Sequence, residues 1–213
     1  MKAGIIVAMQ SEYDALREAG VASVVLSGIG KASAARAATE LILTEHPDCI
    51  INSGVAGGLK DFIVKAGDVV IGSEVAYHDV WCGEPNERGQ VQGLPSRFPA
   101  VPVLLAKATA LAASREWPVT IHTGLIASGD QFYISREEDA RILSVRPDAL
   151  ASDMESGAIA QTCHHYGVPF LSIRSISDTH LTEEEMRTTY ANFWPNLAKN
   201  SFAFLKALTD SLG

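Results

Sequence analysis

The chain has 213 residues, 47% of them apolar, which is enough for one conventional core burying roughly 70% of the surface an unfolded chain exposes. A formal net charge of −8 disfavours the broad basic face that nucleic acid requires, although a nucleoside, which carries no phosphate, remains compatible with it. Cys49, Cys82 and Cys163 are widely spaced and odd in number, and the apolar run from Ile5 to Met9 is too short for a signal-peptide core or a membrane span, so a cytoplasmic, membrane-free protein is expected.

From the start, AGIIVAM reads as a buried strand, EYDALREAG as a helix ending at Gly20, and VASVVLSGIG as a strand running into a turn. KASAARAATELILTEHPD has helical spacing up to Pro47, and CIINSGVAGGL is a second buried strand that ends in glycines. GDVVIGSEVAYHD reads as a long, bent strand, PVPVLLAKATALAASRE as a helix and PVTIHTGLIASGD as a strand. SREEDARILSV carries a capping box of Ser135 and Glu138. ALASDMESGAIAQTCHHYG is a short strand followed by a helix, and FLSIRSISD is a strand. The remainder is a helical region with a Thr182/Glu185 box and an internal Pro195. This alternation predicts a layered α/β architecture with right-handed crossovers.

Residues 80–102 break the rhythm with four prolines, several glycines and no sustained period. They read as a long ordered loop. Trp81, Val91, Leu94 and Phe98 give it more apolar surface than a solvated insertion needs, which points to a binding or interface element.

In an open α/β sheet the ligand crevice lies beyond the carboxyl ends of the strands. Glu12, the glycines of NSGVAGG, Asp130 with Phe132, Asp153-Met154-Glu155 and Asp178 each follow a predicted strand, so five distant segments bring acidic or glycine-rich corners to one edge. Each carboxylate also has an ordinary reading. Glu12 suits an exposed helix start, Asp153 a cap for a helix beginning at Met154, Glu155 a first helical turn, and Asp178 a cap or a partner for Arg174. Taken together they suit glycosidic-bond hydrolysis, which needs separate acid, base and hydroxyl-orienting groups around an oxocarbenium-like centre. The glycines of GIGKASAA and SGVAGG match neither the dinucleotide fingerprint nor the phosphate loop, and they read first as tight turns. His78 and the adjacent His164-His165 lack metal-ligand spacing, and no nucleophile elbow is present.

The ordered set GIIVAMQSE (4–12), SGIGKASAA (27–35), INSGVAGGL (51–59), GDVV (67–70), YHD (77–79), SGDQF (128–132), SDMES (152–156) and RSISD (174–178) resembles the 5'-methylthioadenosine/S-adenosylhomocysteine nucleosidases, within the wider nucleoside phosphorylase superfamily, over nearly the whole chain. The resemblance implies a single-domain, three-layer α/β sandwich with a mixed central sheet. It implies hydrolysis of methylthioadenosine or adenosylhomocysteine to adenine and the thioribose, without cofactor or metal. By the same resemblance Asp178 would donate a proton toward purine N7 with Ser177 orienting it, Glu12 would activate water, and Glu155 would grip the ribose hydroxyls. Met154 would pack on the sugar, Arg174 would support the pocket near Glu155, and Phe132 would stack on the purine beside the Tyr133 backbone. Gly57 would approach through its backbone, with Met9 and Val55 among the substrate contacts and Tyr190 or Phe193 covering the thioalkyl tail. A homodimer is also implied, with loop 80–98 at the interface and Trp81 and Leu94 reaching the neighbouring site.

Three positions depart from the family pattern. A strand hairpin is missing after Gly20, Val55 stands where many relatives have Ser, and Asp153 where many have Glu. A purine nucleoside phosphorylase, a futalosine-type nucleosidase and a catalytically impaired nucleoside-binding protein are the competing readings. The phosphorylase would need donors for phosphate, and GIIVAMQSE contains no Arg.

Overall fold

Short apolar runs punctuated by glycine and polar clusters alternate with helical periods along the chain, and the computed structural model, which describes residues 1–132, 135–179 and 202–213, follows that alternation. In order the elements are β1 (Ala3–Val7), α1 (Gln10–Glu18), β2 (Val24–Leu26), α2 (Lys31–Glu45), β3 (Cys49–Gly58), β4 (Val69–Tyr77) and β5 (Phe98–Pro99). Then come α3 (Pro102–Ala113), β6 (Ile121–Ser128), α4 (Arg136–Val145), β7 (Ala149–Asp153), α5 (Ser156–Tyr166) and β8 (Phe170–Thr179). Residues 202–212 are helical, while the Thr182/Glu185 box and Pro195 lie outside the described residues.

Helix boundaries follow local chemistry. Helix α2 stops at His46, a left-handed residue with φ 47°, just before Pro47. Pro102 opens α3, where its missing N–H costs nothing. The Ser135 hydroxyl accepts from the Glu138 N–H at 3.3 Å and bonds the Glu138 carboxylate at 3.1 Å, so the expected cap of α4 forms. One boundary differs from expectation: α5 begins at Ser156, not at Met154, because Met154 and Glu155 bend away from the helix and Glu155 takes the N-cap position. Asp153 still serves the helix end, accepting from the Ser156 N–H.

The eight strands form one mixed sheet. Strand β1 runs parallel to β2 on one side and β3 on the other. Strand β8 lies between β3, to which it is parallel, and β4, to which it is antiparallel. Strands β4 and β6 pair in parallel, as do β6 and β7. The end of β3 then reaches β7 through Gly57 and Gly58. Strands β3, β8, β4, β6 and β7 therefore close into a ring, with β1 and β2 attached as a wing.

Successive residues of the inner strands face opposite helix layers, as the two-residue period of a strand requires. Ile6 and Ile50 join the core of α2 and α5, alongside Leu41, Ile42, Ile159 and Cys163. Ile5, Val7 and Ile51 join the opposite core with Leu16 of α1, Leu104 and Ala108 of α3, and Phe202, Phe204, Leu205 and Leu208 of the closing helix. Helices on both faces of a mixed sheet make the three-layer arrangement. No helix among the described residues is long and apolar enough to cross a membrane, and all three cysteines are free thiols.

The segment after β4 is ordered, as expected, with β5 as a two-residue antiparallel contact on Glu74 and Val75. Val80, Val91 and Leu94 pack against the protein's own core, whereas Trp81 is exposed and stacks under the Arg88 guanidinium at 4.6 Å. Arg146 anchors the loop from inside, its Nε donating to the Tyr77 carbonyl at 2.9 Å and its Nη2 to the Ser96 carbonyl at 2.8 Å.

Candidate active site

A cavity with about 730 Å³ of open space lies at the carboxyl ends of β1, β3, β7 and β8, the edge that strand order alone indicates. Of the residues expected there, Met9, Glu12, Val55, Gly57, Phe132, Met154, Glu155, Ser177 and Asp178 line it. Tyr133, Tyr190 and Phe193 lie outside the described residues. Arg174 is buried close to the lining carboxylates.

Glu12 is not the exposed helix-start carboxylate that its position allows; it is 1% exposed. It sits in the first turn of α1 and turns back to bridge two strands. One oxygen accepts from the Ala8 and Met9 N–H groups at 3.0 and 2.9 Å, and the other accepts from Val55 N–H at the end of β3, at 2.9 Å. Burial pushes its pKa up, and the opposing pulls of the Arg174 guanidinium and the three N–H donors do not cancel that rise. The close approach depends on Gly54, whose φ is +142°. A Cβ there would stand 2.6 Å from Glu12 Oε1 and 2.8 Å from Arg174 Nη1.

Ser177 and Asp178 are adjacent, yet both face the cavity, which a regular strand forbids. The register of β8 against β3 slips between Ala56 and Gly57, so that Ala56 pairs with Ile176 and Gly57 with Asp178. This bulge leaves Ser177 as the extra residue and re-aims its neighbour. The Ser177 hydroxyl donates to Asp178 Oδ1 at 2.5 Å.

Glu155 projects from the bend between β7 and α5. Its Oε1 accepts from Gly30 N–H at 3.0 Å, and its Oε2 lies 3.6 Å from Arg174 Nη2. Burial raises its pKa to about 7, against the pull of Arg174, and Asp153 and Glu12 add to the rise. Arg174 forms its shortest ion pair with Asp153, so the Asp178–Arg174 pairing considered from the sequence gives way to this partner.

The Gly28-Ile29-Gly30-Lys31 turn serves the protein's own chain. Gly28 and Gly30 have φ of 85° and 89°. At the N-terminus of α2, Gly30 N–H is taken by Glu155, and Lys31 N–H is taken by Asp130 at 2.8 Å. Lys31 Nζ closes on both oxygens of Asp79 at 2.7 Å. Asp130 thus pins the rim and is not part of the lining. Among the described residues, no group of three or more His, Cys, Asp or Glu side chains is placed to hold a metal ion.

Five lining residues, Ala8, Ile29, Ala56, Gln131 and Ser152, were not identified from sequence. Ile29 is 57% exposed between two turn glycines and Phe132 is 61% exposed, so the lining of the cavity carries exposed apolar surface. The available signal for Ile29 was a large apolar residue held between positive-φ glycines, a position that turns have no use for.

The model of the phosphorylase superfamily matches residues 12–210. A 5'-methylthioadenosine/S-adenosylhomocysteine nucleosidase from Exiguobacterium is 37% identical over 234 aligned positions, covering 100% of this chain and 99% of the relative. The chain belongs to the phosphorylase superfamily, in its methylthioadenosine/adenosylhomocysteine nucleosidase family. A family structure from Neisseria meningitidis, in complex with methylthio-immucillin-A, is 36% identical with a TM-score of 0.89 over 98% of each chain. A futalosine hydrolase mutant from Helicobacter pylori is 28% identical, with the same TM-score, over 99% of each chain. The α/β sandwich with a mixed sheet expected from the sequence is therefore the family's fold.

Proposed function

We propose that this chain hydrolyses the N-glycosidic bond of 5'-methylthioadenosine and S-adenosylhomocysteine, releasing adenine and 5-methylthioribose or S-ribosylhomocysteine, with water as the only co-substrate. The observation that carries hydrolysis over phosphorolysis is the occupied N-terminus of α2. Two of its N-terminal N–H groups, those of Gly30 and Lys31 in the natural seat for an anion, are taken by the carboxylates of Glu155 and Asp130, and Lys31 is committed to Asp79. A phosphate nucleophile would meet negative charge where it needs donors. Water needs only an acceptor, and the Glu12 carboxylate supplies one.

In this reading Asp178 donates a proton toward purine N7, which turns adenine into a neutral leaving group, and the Ser177 hydroxyl holds the Asp178 carboxyl in place. Glu12 orients and deprotonates the attacking water. Glu155 bonds the ribose hydroxyls and favours the positive charge that grows on the sugar, an interaction strongest in the transition state. Met154, Met9 and Val55 supply apolar contact, Gly57 admits the ligand against its backbone, and Phe132 offers a ring face to the purine. Arg174 acts from below through Glu155 and Glu12. Tyr133, Tyr190 and Phe193 retain their proposed roles at the adenine edge and the thioalkyl tail.

The exposed Ile29 and Phe132 suit a site completed by a second copy, so we assign the working form as a homodimer with loop 80–98 at the interface. Trp81 is the better donor to the neighbouring site, because Leu94 already packs on its own core. The alignment with the Exiguobacterium protein is longer than this chain, in keeping with a hairpin lost after residue 20. A cytoplasmic role in methionine salvage fits the free thiols and the substrate. The likeness to a futalosine hydrolase favours one second reading, in which the same acid–base set serves a different 5'-substituent.

The deciding experiment is adenine release from methylthioadenosine with phosphate rigorously absent or added. Equal release in both conditions is expected. Release only with phosphate would refute hydrolysis, and turnover of futalosine in preference to both thionucleosides would move the substrate assignment.

A further inference from the structure

Ser156, at the start of α5, is fully buried, and its hydroxyl lies within bonding reach of four side chains from three strands. Asn52 Nδ2 of β3 donates to it at 2.9 Å, and Ser172 Oγ of β8 lies at 2.8 Å. Arg174 Nη2 and Nε, also of β8, approach it at 3.2 and 3.4 Å. Asp153 of β7 receives its proton in a short bond, and the Ser156 N–H points at both Asp153 oxygens at 3.2 Å.

A hydroxyl has one proton and two lone pairs. The Asp153 carboxylate can only accept, so the proton goes there; the Asn52 amide takes one lone pair, and Ser172 and the Arg174 guanidinium share the other. Every hydrogen direction around Ser156 is thereby set. The same guanidinium pairs with Asp153, reaches Glu155 at 3.6 Å, and meets Glu12 across Gly54.

We propose that Ser156 is a positioning residue whose hydroxyl locks Asp153 and Arg174 together, so that the guanidinium stays between Glu12 and Glu155. The lock's use in catalysis rests on the nucleosidase reading; the placement of Arg174 does not. Glu155 is faced by Arg174, Asp153, Glu12 and the Gly30 N–H, and Glu12 by Arg174 and the N–H groups of Ala8, Met9 and Val55, with Asp178 lining the same cavity. Arg174 is the cation of that set. If it drifts toward Asp153, both glutamates lose the charge that favours their ionised forms.

The test is Ser156→Ala in the full-length protein, read by the pH profile of kcat/KM and, independently of turnover, by carboxyl-carbon NMR titration of Glu12 and Glu155. We expect kcat to fall about tenfold with a smaller change in KM. The acid limb and both titrations should move up by about one pH unit. A Ser156→Ala/Asp153→Glu double variant, whose longer arm fills the space of the lost hydroxyl and reaches the guanidinium, should bring the titrations back. Glutamate titrations in Ser156→Ala that coincide with those of the parent would overturn the proposal, as would a double variant no closer to the parent than the single one. Should Ser156→Ala not fold, Ser156→Cys keeps the shape while weakening both donor and acceptor, and the same NMR comparison decides. A parent that releases no adenine would sink the nucleosidase reading and leave the NMR result to judge Arg174 separately.

Discussion

Glu12 and Asp178 reach the cavity by different local devices, a side chain turned back from the first turn of α1 and a β-bulge, and in the proposed mechanism each carries a separable chemical step. Glu12→Gln and Asp178→Asn keep size and shape while removing base or acid, so each is expected to lower kcat by about 10²- to 10⁴-fold with the melting temperature near the parent's. Steady-state adenine release and thermal melts check both. Glu155 gives a pH prediction. Its carboxyl is raised by burial to about 7 in the folded protein, above its ordinary value of 4.5. Its contribution to stability is therefore fully present below about pH 4.5 and lost as pH rises through about 7, because ionising the buried group opposes folding. Activity should have the opposite sign, since in the proposed mechanism hydroxyl binding uses the carboxylate. We expect kcat/KM to fall below about pH 7, and Glu155→Gln to be slow, without that limb, and relatively more stable at alkaline pH. An unchanged acid limb in Glu155→Gln would assign the ionisation elsewhere.

At the level of elements, the long segment after β4 is held mainly from within the chain. Arg146 is 3% exposed and ties the Tyr77 and Ser96 carbonyls, while Arg97 bridges Glu74 and Asp148 nearer the surface. Arg146→Ala removes two charged donors from buried carbonyls, a loss of about 1.5–3 kcal/mol for each such bond. It should expose residues 80–98 to limited proteolysis before any other segment is cut, and cleavage elsewhere first would argue against this anchor. Strands and helices were legible in the sequence because short apolar runs and helical periods alternate without ambiguity, and the site edge was legible because each acidic corner directly follows such a run. Closure of the ring was not, since it depends on β8 pairing with β3 and β4 at once, a long-range register that no local pattern encodes. Gly54 was legible only as a turn or ligand contact, whereas its role is to let two charged side chains approach. Ser156 gave no signal, because serine at a helix start ordinarily caps it.

For the whole molecule, the exposed apolar lining at Ile29 and Phe132 makes assembly the first quantity to measure. Sedimentation across a dilution series should show a dimer, and dilution below its dissociation constant should raise KM for methylthioadenosine; a monomer with unchanged KM would remove the partner from the site. The ring of five strands has a mechanical consequence as well. In a closed circuit a slip at one pairing must be matched by another, so β3, β7 and β8, which carry Asp153, Arg174 and Asp178, hold one another in place. Glu12 belongs to the open wing, where β1 has only three-residue β2 beyond it. Amide hydrogen exchange should therefore be slowest around the ring and measurably faster in β2, β1 and the start of α1. In the proposed mechanism the residue that prepares the water then sits on the part of the sheet free to breathe, so the nucleophile's seat would open to solvent between turnovers while the grip on the nucleoside stays rigid.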